Sequence, residues 1–233
     1  MLNEFSRSQL LLGTDGLQRL KDASVAVFGV GGVGSYTAEA LARSGIGHIS
    51  LVDNDTVNIT NINRQLIALH STIGSFKTDT AKARILDINP MCCVSVFNCF
   101  YTGSEVDLSH FDFIADAIDS VTSKLTLIKT AHSLGIPIIS SMGTGNKLDP
   151  SKLVITDISK TSVCPLAKVI RIELRKCGII HHDVVYSTET PIAHKVPSSE
   201  DQSHRKTIGS VPFVPSVAGL FMASHIIRKI SQV

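Results

Sequence analysis

Four glycines fall within six residues, Gly29-Val30-Gly31-Gly32-Val33-Gly34, at the close of an apolar run, Ser24–Val30. Glycine at such a junction permits a tight strand-to-helix turn and lets backbone N–H groups come close to a phosphate at the helix N-terminus. Asp53 lies 19 residues past Gly34, at the end of the next apolar run, His48–Asp53. There a carboxylate can accept the hydroxyls of a ribose. This combination points to nucleotide binding, but does not separate a nicotinamide dinucleotide from a nucleoside triphosphate.

The segment Asn61-Ile62-Asn63-Arg64-Gln65 helps to separate them. A nicotinamide enzyme has no evident use for Asn61 and Arg64 directly after the ribose acid. A triphosphate needs cations and amide donors on its β and γ phosphates, where charge develops during displacement. Lys77, after Gly74, opens the next helix and offers a second phosphate cation. Asp119 follows the apolar run Phe111–Ile118, at the edge where open α/β sheets bind ligands, and suits a hydrated Mg²⁺. Each residue also has a plainer reading: Arg64 as a surface ion pair, Lys77 as solvated, Asp119 as the cap of the following helix. Together and in this order they favour a triphosphate.

Apolar runs and helical patterns alternate around these residues. Strands are expected at Ser24–Val30, His48–Asp53, Met91–Phe100, Phe111–Ile118 and Pro137–Met142, with helices at Val33–Ser44, Thr78–Ile88 and Val121–Leu134. This order implies an α/β fold, a Rossmann-like and mostly parallel sheet with helices on both faces. After Gly143 the pattern changes to an edge strand (Leu153–Ile158), a helix (Pro165–Cys177), a strand (Asp183–Ser187) and an apolar helix (Val214–Ile230). Residues 188–210 read as a mobile or functional loop. The expected organisation is one domain over 1–233, with a nucleotide-binding part at 1–143 and a substrate-facing, dimerising part at 144–233.

The chain has 233 residues, 43% hydrophobic and 18% charged, too apolar for intrinsic disorder. Five cysteines without an even, closely spaced set exclude a disulfide-framed module. The opening MLNEFSRSQLLLG lacks the features of a signal peptide. The stretch Thr207–Ile227 carries Pro212, Pro215, Gly219 and His225 and reads as a buried helix rather than a span. A soluble, cytoplasmic protein with no membrane association is expected. Net charge is +2, yet residues 1–120 hold 8 Lys and Arg against 13 Asp and Glu, whereas residues 121–180 hold 9 against 3. A basic middle suits a polyanionic partner, or is simply a solvated face. On the helix Pro165–Cys177, Lys168, Arg171 and Arg175 fall within a stripe of about 60°, opposite Leu166, Val169, Ile170 and Leu174. Such a stripe can track phosphates without reading bases.

GVGGVGS, LVDNDTVNITNINRQ, the Gly74-x-x-Lys77 step and IADAIDS together resemble the ThiF/MoeB/HesA superfamily, adenylating relatives of the ubiquitin-activating enzymes. FSRSQLLLG looks like that superfamily's N-terminal arginine motif, with Arg7 as its arginine. DAIDSVTSK, DPSKLVITDISKT, PLAKVIRIELRK, VVYSTE and the C-terminal GL-x-x-ASH-x-x-x-K pattern are similar to the tRNA threonylcarbamoyladenosine dehydratases within it. The resemblance implies that Gly29, Gly31, Gly32 and Gly34 wrap ATP and that Asp53 holds the ribose. It further implies that Asn61, Arg64 and Lys77 bind phosphates with Gln65 beside them, and that Asp119 binds Mg²⁺. Arg7 would reach the triphosphate of a partner subunit, which implies a homodimer. Lys168, Arg171 and Arg175 would meet tRNA. The implied activity is adenylation and dehydrative cyclisation of the threonyl carboxylate of threonylcarbamoyladenosine. The alternative is activation of the C-terminal glycine of a ubiquitin-like sulfur carrier, and a sulfur-transfer protein partner stays open.

Cys92, Cys93, Cys99, Cys164 and Cys177 include no C-x-x-C pair, which argues against the structural zinc of many superfamily members and weakens the sulfur-carrier alternative. Cys92, Cys93 and Cys99 read as core residues. Cys164, before Pro165, would have its thiolate favoured at a helix N-terminus, so a covalent role there is a further alternative. The histidines, including His181-His182 and His194/His204, lack metal-ligand spacing.

ATP, and not NAD, should raise the thermal unfolding temperature, since a ligand at 100 times its Kd stabilises the native state by about 2.7 kcal/mol. A thermal-shift assay with each nucleotide checks this, and equal stabilisation by NAD would point to a dehydrogenase.

Overall fold

The computed structural model describes residues 3–193 and 208–233. At their centre is a sheet of β1 (Ser24–Phe28), β2 (His48–Val52), β3 (Cys93–Phe97), β4 (Phe113–Asp116), β5 (Ile138–Ser141), β6 (Leu153–Asp157) and β7 (Asp183–Ser187). The strand order is β3-β2-β1-β4-β5-β7-β6, and only β6 runs antiparallel, against β7. The strands from beyond Gly143 thus extend the same sheet as those before it.

A parallel sheet covered on both faces needs strands that are apolar throughout, and β1 buries Val25, Ala26, Val27 and Phe28 in succession. Alternate residues serve two cores. Val25 and Val27 pack with α1 (Ser6–Asp22), α2 (Gly34–Arg43), α3 (Lys77–Ile88) and α6 (Phe213–Ser231), while Ala26 and Phe28 pack with α4 (Val121–Leu134) and α5 (Pro165–Lys176). The expected order of strands and helices is therefore observed.

The differences lie at element ends and in one helix. β3 and β4 are shorter than the apolar runs that announce them, because the sheet ladder stops while the chain remains apolar. The residues left over at their C-terminal ends, 98–100 and 117–118, lie beyond the ladder. α1 carries little sequence signal: Leu10 and Leu11 are exposed, and Gly13 at φ 71° breaks it into two segments. It docks through Gly16 and Leu20, and Arg19 donates to the Ser231 carbonyl at the end of α6. The core assignment holds for Cys92, whose thiol burial pushes up to about 11. It fails for Cys93, exposed on the edge strand, whereas Cys99, beyond the end of β3, is half-buried and packs against the core on the α4 and α5 side.

α6 is apolar and long enough to cross a membrane by length and composition alone. Here Val214, Ala218, Met222 and Ile226 are buried in the fold. Gly219 brings it against α2: a side chain at this position would run into the Val33 carbonyl and lie 3.0 Å from Tyr36 Cβ. Thr37 Oγ1 donates to the Gly219 carbonyl at 3.1 Å. Of the loop expected at 188–210, residues 194–207, with His194 and His204, lie outside the described residues.

Gly219→Ala should overpack the α2–α6 contact at a cost of about 1–3 kcal/mol. For a domain of this size that is a fall in Tm of roughly 2–12 °C, measurable by calorimetry.

Candidate active site

β1 leads to β2 and β3 on one side of the sheet and β4 leads to β5 on the other, so the order reverses between β1 and β4. Open α/β sheets bind ligands in the crevice at this point. The glycine loop leaves β1 here. Gly29 has φ 85°, its N–H donates to the Val52 carbonyl at 2.8 Å, and a Cβ on it would sit 2.7 Å from the Ala117 carbonyl oxygen. A side chain at Gly34, the first residue of α2, would collide with the Gly29 carbonyl. Gly31 differs: a Cβ there would meet only Gln65 Nε2, at 3.8 Å, so its face is open to the cavity.

That cavity, about 550 Å³, is lined by Gly29, Gly31, Gly32, Asp53, Asn61, Arg64, Gln65, Lys77 and Asp119. The structure thus gathers these sequence-predicted residues in one place, and Gly34 shapes the loop from behind. Asp53 follows β2. Its Oδ2 accepts the Val30 N–H at 2.7 Å and its Oδ1 accepts the Asp55 N–H at 2.8 Å. Burial pushes its carboxyl above the ordinary carboxylate value, and the nearby Lys77 ammonium and these two N–H groups pull the other way. Lys77 is buried, not solvated. Its Nζ lies 2.6 Å from Asp55 Oδ2 and 3.9 Å from Asp53 Oδ1. Asp55 is the partner the sequence reading missed, although it stands within the quoted LVDNDTV motif.

Asn58 caps a short 3-10 turn at Ile59–Asn61, and Asn61 Oδ1 accepts the Asn58 N–H in return. The Arg64 and Gln65 N–H groups both bond to the Asn61 carbonyl, so the three side chains are set by one local turn. Arg64 is half-buried, and its Nη1 donates to the Thr60 carbonyl and Asn63 Oδ1 at 2.8 and 2.9 Å. It is not a surface ion pair. Gln65 is buried; its Nε2, a donor, lies beside the open face of Gly31, and its Oε1 has no protein partner. An amide and two cations around an open glycine face fit a polyphosphate.

Asp119 is exposed at the cavity edge, and the cap of α4 is Ser120, which accepts the Ser123 N–H. Among the described residues no group of three His, Cys, Asp or Glu side chains could hold a metal ion. Asp119 alone fits a Mg²⁺ held chiefly by phosphate oxygens and waters. Residues beyond the sequence motifs complete the walls: Cys99–Tyr101, Ser141–Gly145, Leu166, Ile208, Ser210 and Pro215. Most come from loops at strand ends, where no local pattern marks them, while Ser141 ends β5, Leu166 belongs to α5 and Pro215 to α6. Arg7 is exposed on α1 and does not line this cavity. Cys164 is buried at the N-terminus of α5 and does not line it either. On α5 the buried side is Ala167, Ile170 and Leu174, while Val169 stands exposed beside Lys168 and Arg175. Arg171 is half-buried and Nη1 donates to the Thr161 carbonyl at 2.9 Å, so only two of the three cations project freely. Position 171 faces the buried Ala167 side of the stripe, which explains its partial burial.

A switch-point cavity floored by a glycine loop and lined by Asp53, Arg64 and Lys77 defines a Rossmann-type nucleotide-binding protein. Residues 5–233 match the ThiF family, and the chain belongs to that family. The tRNA threonylcarbamoyladenosine dehydratase of Bacillus subtilis (strain 168) is 48% identical over 242 residues, covering 99% of this chain and 95% of that protein. The crystal structure of Escherichia coli tRNA N6-threonylcarbamoyladenosine dehydratase in complex with AMP matches with a TM-score of 0.89 at 35% identity, covering 98% of this chain and 94% of that one. The same enzyme in complex with ATP matches with a TM-score of 0.87 at 34% identity over the same shares.

Arg64→Ala should lower kcat by roughly 10²-fold, the order seen when one electrostatic donor to a developing charge is removed. Steady-state pyrophosphate release measures it; near-normal turnover would remove Arg64 from the site.

Proposed function

We propose that this chain is an ATP-dependent tRNA threonylcarbamoyladenosine dehydratase. The observation that carries the reading is the join between cavity and basic helix. Leu166, in the first turn of α5, lines the cavity, and the same helix presents Lys168 and Arg175 outward. A nucleotide in the cavity and a polyanion along α5 would then meet at one wall. The likeness to dehydratases over nearly the whole chain, α5 included, supports the same reading.

A carboxylate is a poor electrophile until one of its oxygens belongs to a good leaving group. In the proposed reaction a threonyl carboxylate oxygen attacks the α-phosphorus of ATP and pyrophosphate departs. A nucleophilic atom of the same modified side chain then attacks the acyl carbon, the bond to AMP breaks, and a ring closes with net loss of one water. Arg64 and Lys77 hold the β and γ phosphates and stabilise the charge gathering on the leaving pyrophosphate. Asp119 would hold a hydrated Mg²⁺, and such an ion would supply charge neutralisation at the same phosphates. Asp53 and the glycine loop fix the nucleoside. Ring closure is intramolecular, so positioning replaces a protein nucleophile, in keeping with the burial of Cys164.

Arg7 is proposed to act across a homodimer. Its exposure on α1, outside the cavity of its own chain, and the neighbouring Leu10 and Leu11, 85% and 82% exposed, support a second copy covering this helix. The proposed organisation is a single domain acting in the cytoplasm on tRNA.

The direct test incubates the protein with ATP, Mg²⁺ and tRNA bearing threonylcarbamoyladenosine, then digests and weighs the nucleosides. The expected product is lighter by one water, with AMP and pyrophosphate released. An unchanged nucleoside, with activation of a ubiquitin-like C-terminal glycine instead, would overturn the reading. Arg7→Ala mixed with Arg64→Ala under subunit exchange should regain part of the wild-type activity, and heterodimers without recovery would place Arg7 in its own chain's chemistry or in structure alone. Replacing Lys168 and Arg175 with Gln should lower the log–log salt slope of tRNA binding by about two units at most, since Arg171 is held by Thr161.

A further inference from the structure

Asp116 ends β4 three residues before Asp119 and is fully buried. Its Oδ2 accepts from Lys124 Nζ at 2.7 Å and from Ser140 Oγ at 2.6 Å, and its Oδ1 accepts the Ile118 N–H at 3.1 Å. Lys124 is equally buried. Ser140 Oγ lies 2.8 Å from Nε2 of buried His182, whose Nδ1 lies 3.4 Å from His132 Nε2. The Ser140 hydroxyl proton is committed to Asp116, so its oxygen accepts the His182 Nε2–H, which leaves His182 Nδ1 to accept from His132. Burial pushes His182 down to about 3 and keeps it neutral, as this arrangement requires. The donors thus run in one direction, from His132 through His182 and Ser140 to Asp116.

The three groups bonded directly to Asp116 belong to three walls of the nucleotide cavity. Ile118 sits in the turn that carries Asp119. Lys124 follows Ser123, a lining residue, in the first turn of α4. Ser140 precedes Ser141 and Met142, which also line the cavity. The same turn lies against the glycine loop, through the Ala117 carbonyl beneath Gly29. Stability alone gives little reason for such a pair, because buried ion pairs replaced by apolar side chains of similar volume often leave a protein as stable or more so.

We propose that Asp116 and Lys124 are a positioning pair for the adenylation step: Asp116 fixes the turn 117–119, the start of α4 and the end of β5 relative to the glycine loop, and so sets where Asp119 stands. This rests on the assignment of Asp119 to the nucleotide phosphates. Neither residue touches the reacting atoms; the pair acts through Ile118, Ser123 and Ser141.

The test compares two double variants. D116L/K124M removes both charges and the acceptor for the Ile118 N–H. D116N/K124M removes the charges but keeps a carbonyl oxygen for that N–H. Unfolding temperature and amide exchange over residues 117–119 are measured without nucleotide, followed by kcat and KM for ATP. The expected result is a D116L/K124M protein that unfolds near the wild-type temperature, with exchange at Ile118 faster by roughly tenfold. Its kcat falls by roughly 10–100-fold while KM moves far less. D116N/K124M recovers most of that loss and restores the protection. If kcat follows unfolding temperature in both variants, with no difference between them at equal stability, the pair is structural and the proposal fails. Ser140→Ala is the milder variant should D116L/K124M not fold: a fall in kcat at unchanged unfolding temperature supports the proposal, and wild-type kcat overturns it. Asp119→Ala runs alongside. Its retention of full turnover would sink the Asp119 assignment and the proposal with it, whereas its loss beside an active D116L/K124M would sink the positioning role alone.

Discussion

The close backbone approach between the ends of β1 and β4 is the constraint on which the site depends. Gly29 can lie over the Ala117 carbonyl only without a side chain, and Gly34 can start α2 against the Gly29 carbonyl only for the same reason. If either contact opened, the N-terminus of α2 would swing away from the strand ends and its N–H groups would no longer converge on one point. The rest follows outward from this contact. The Ala117 turn carries Asp119, and Asp53, at the end of β2, ties back to the loop through the Val30 N–H.

Charge is arranged around the contact in two different ways. Buried Lys77 sits between half-buried Asp53 and exposed Asp55 at the open side of the cavity, and burial leaves the Asp53 carboxyl above its ordinary value despite the cation nearby. Gln65 adds a buried acceptor without a protein partner, a feature that costs about 1–3 kcal/mol in a closed core. These are the local violations expected where a protein keeps groups in reserve for a ligand. Asp116 and Lys124 are the opposite case: fully buried, with both carboxylate oxygens satisfied, and turned toward the scaffold. One group faces the cavity and the other lies behind its walls.

α5 and α6 show how one apolar helix pattern serves different ends. α6 lies bare at Gly219 against α2 and fills the core beneath the glycine loop. α5 buries a narrower stripe and keeps cations and two branched apolar residues, Val169 and Ile172, on its outer side.

The alternation of strands and helices, the glycine loop and the line of Asp53, Asn61, Arg64, Lys77 and Asp119 were all legible in the sequence, because each depends on local periodicity or on residue types at fixed spacing. Composition alone also marked the basic middle of the chain. Other features depended on which segments the fold brings side by side. Asp55 becomes a partner of Lys77 only because the turn after β2 meets the start of α3, and Cys99 faces the cavity only because β3 stops two residues before it. Arg171 is drawn from the cationic stripe by Thr161, ten residues away across a loop. The Asp116 network joins β4, α4, β5 and the start of β7, elements whose adjacency is set by crossovers of the sheet. Local spacing determined what chemistry the residues could do; long-range packing alone decided which of them share a wall, since contacts between distant segments leave no period in the chain.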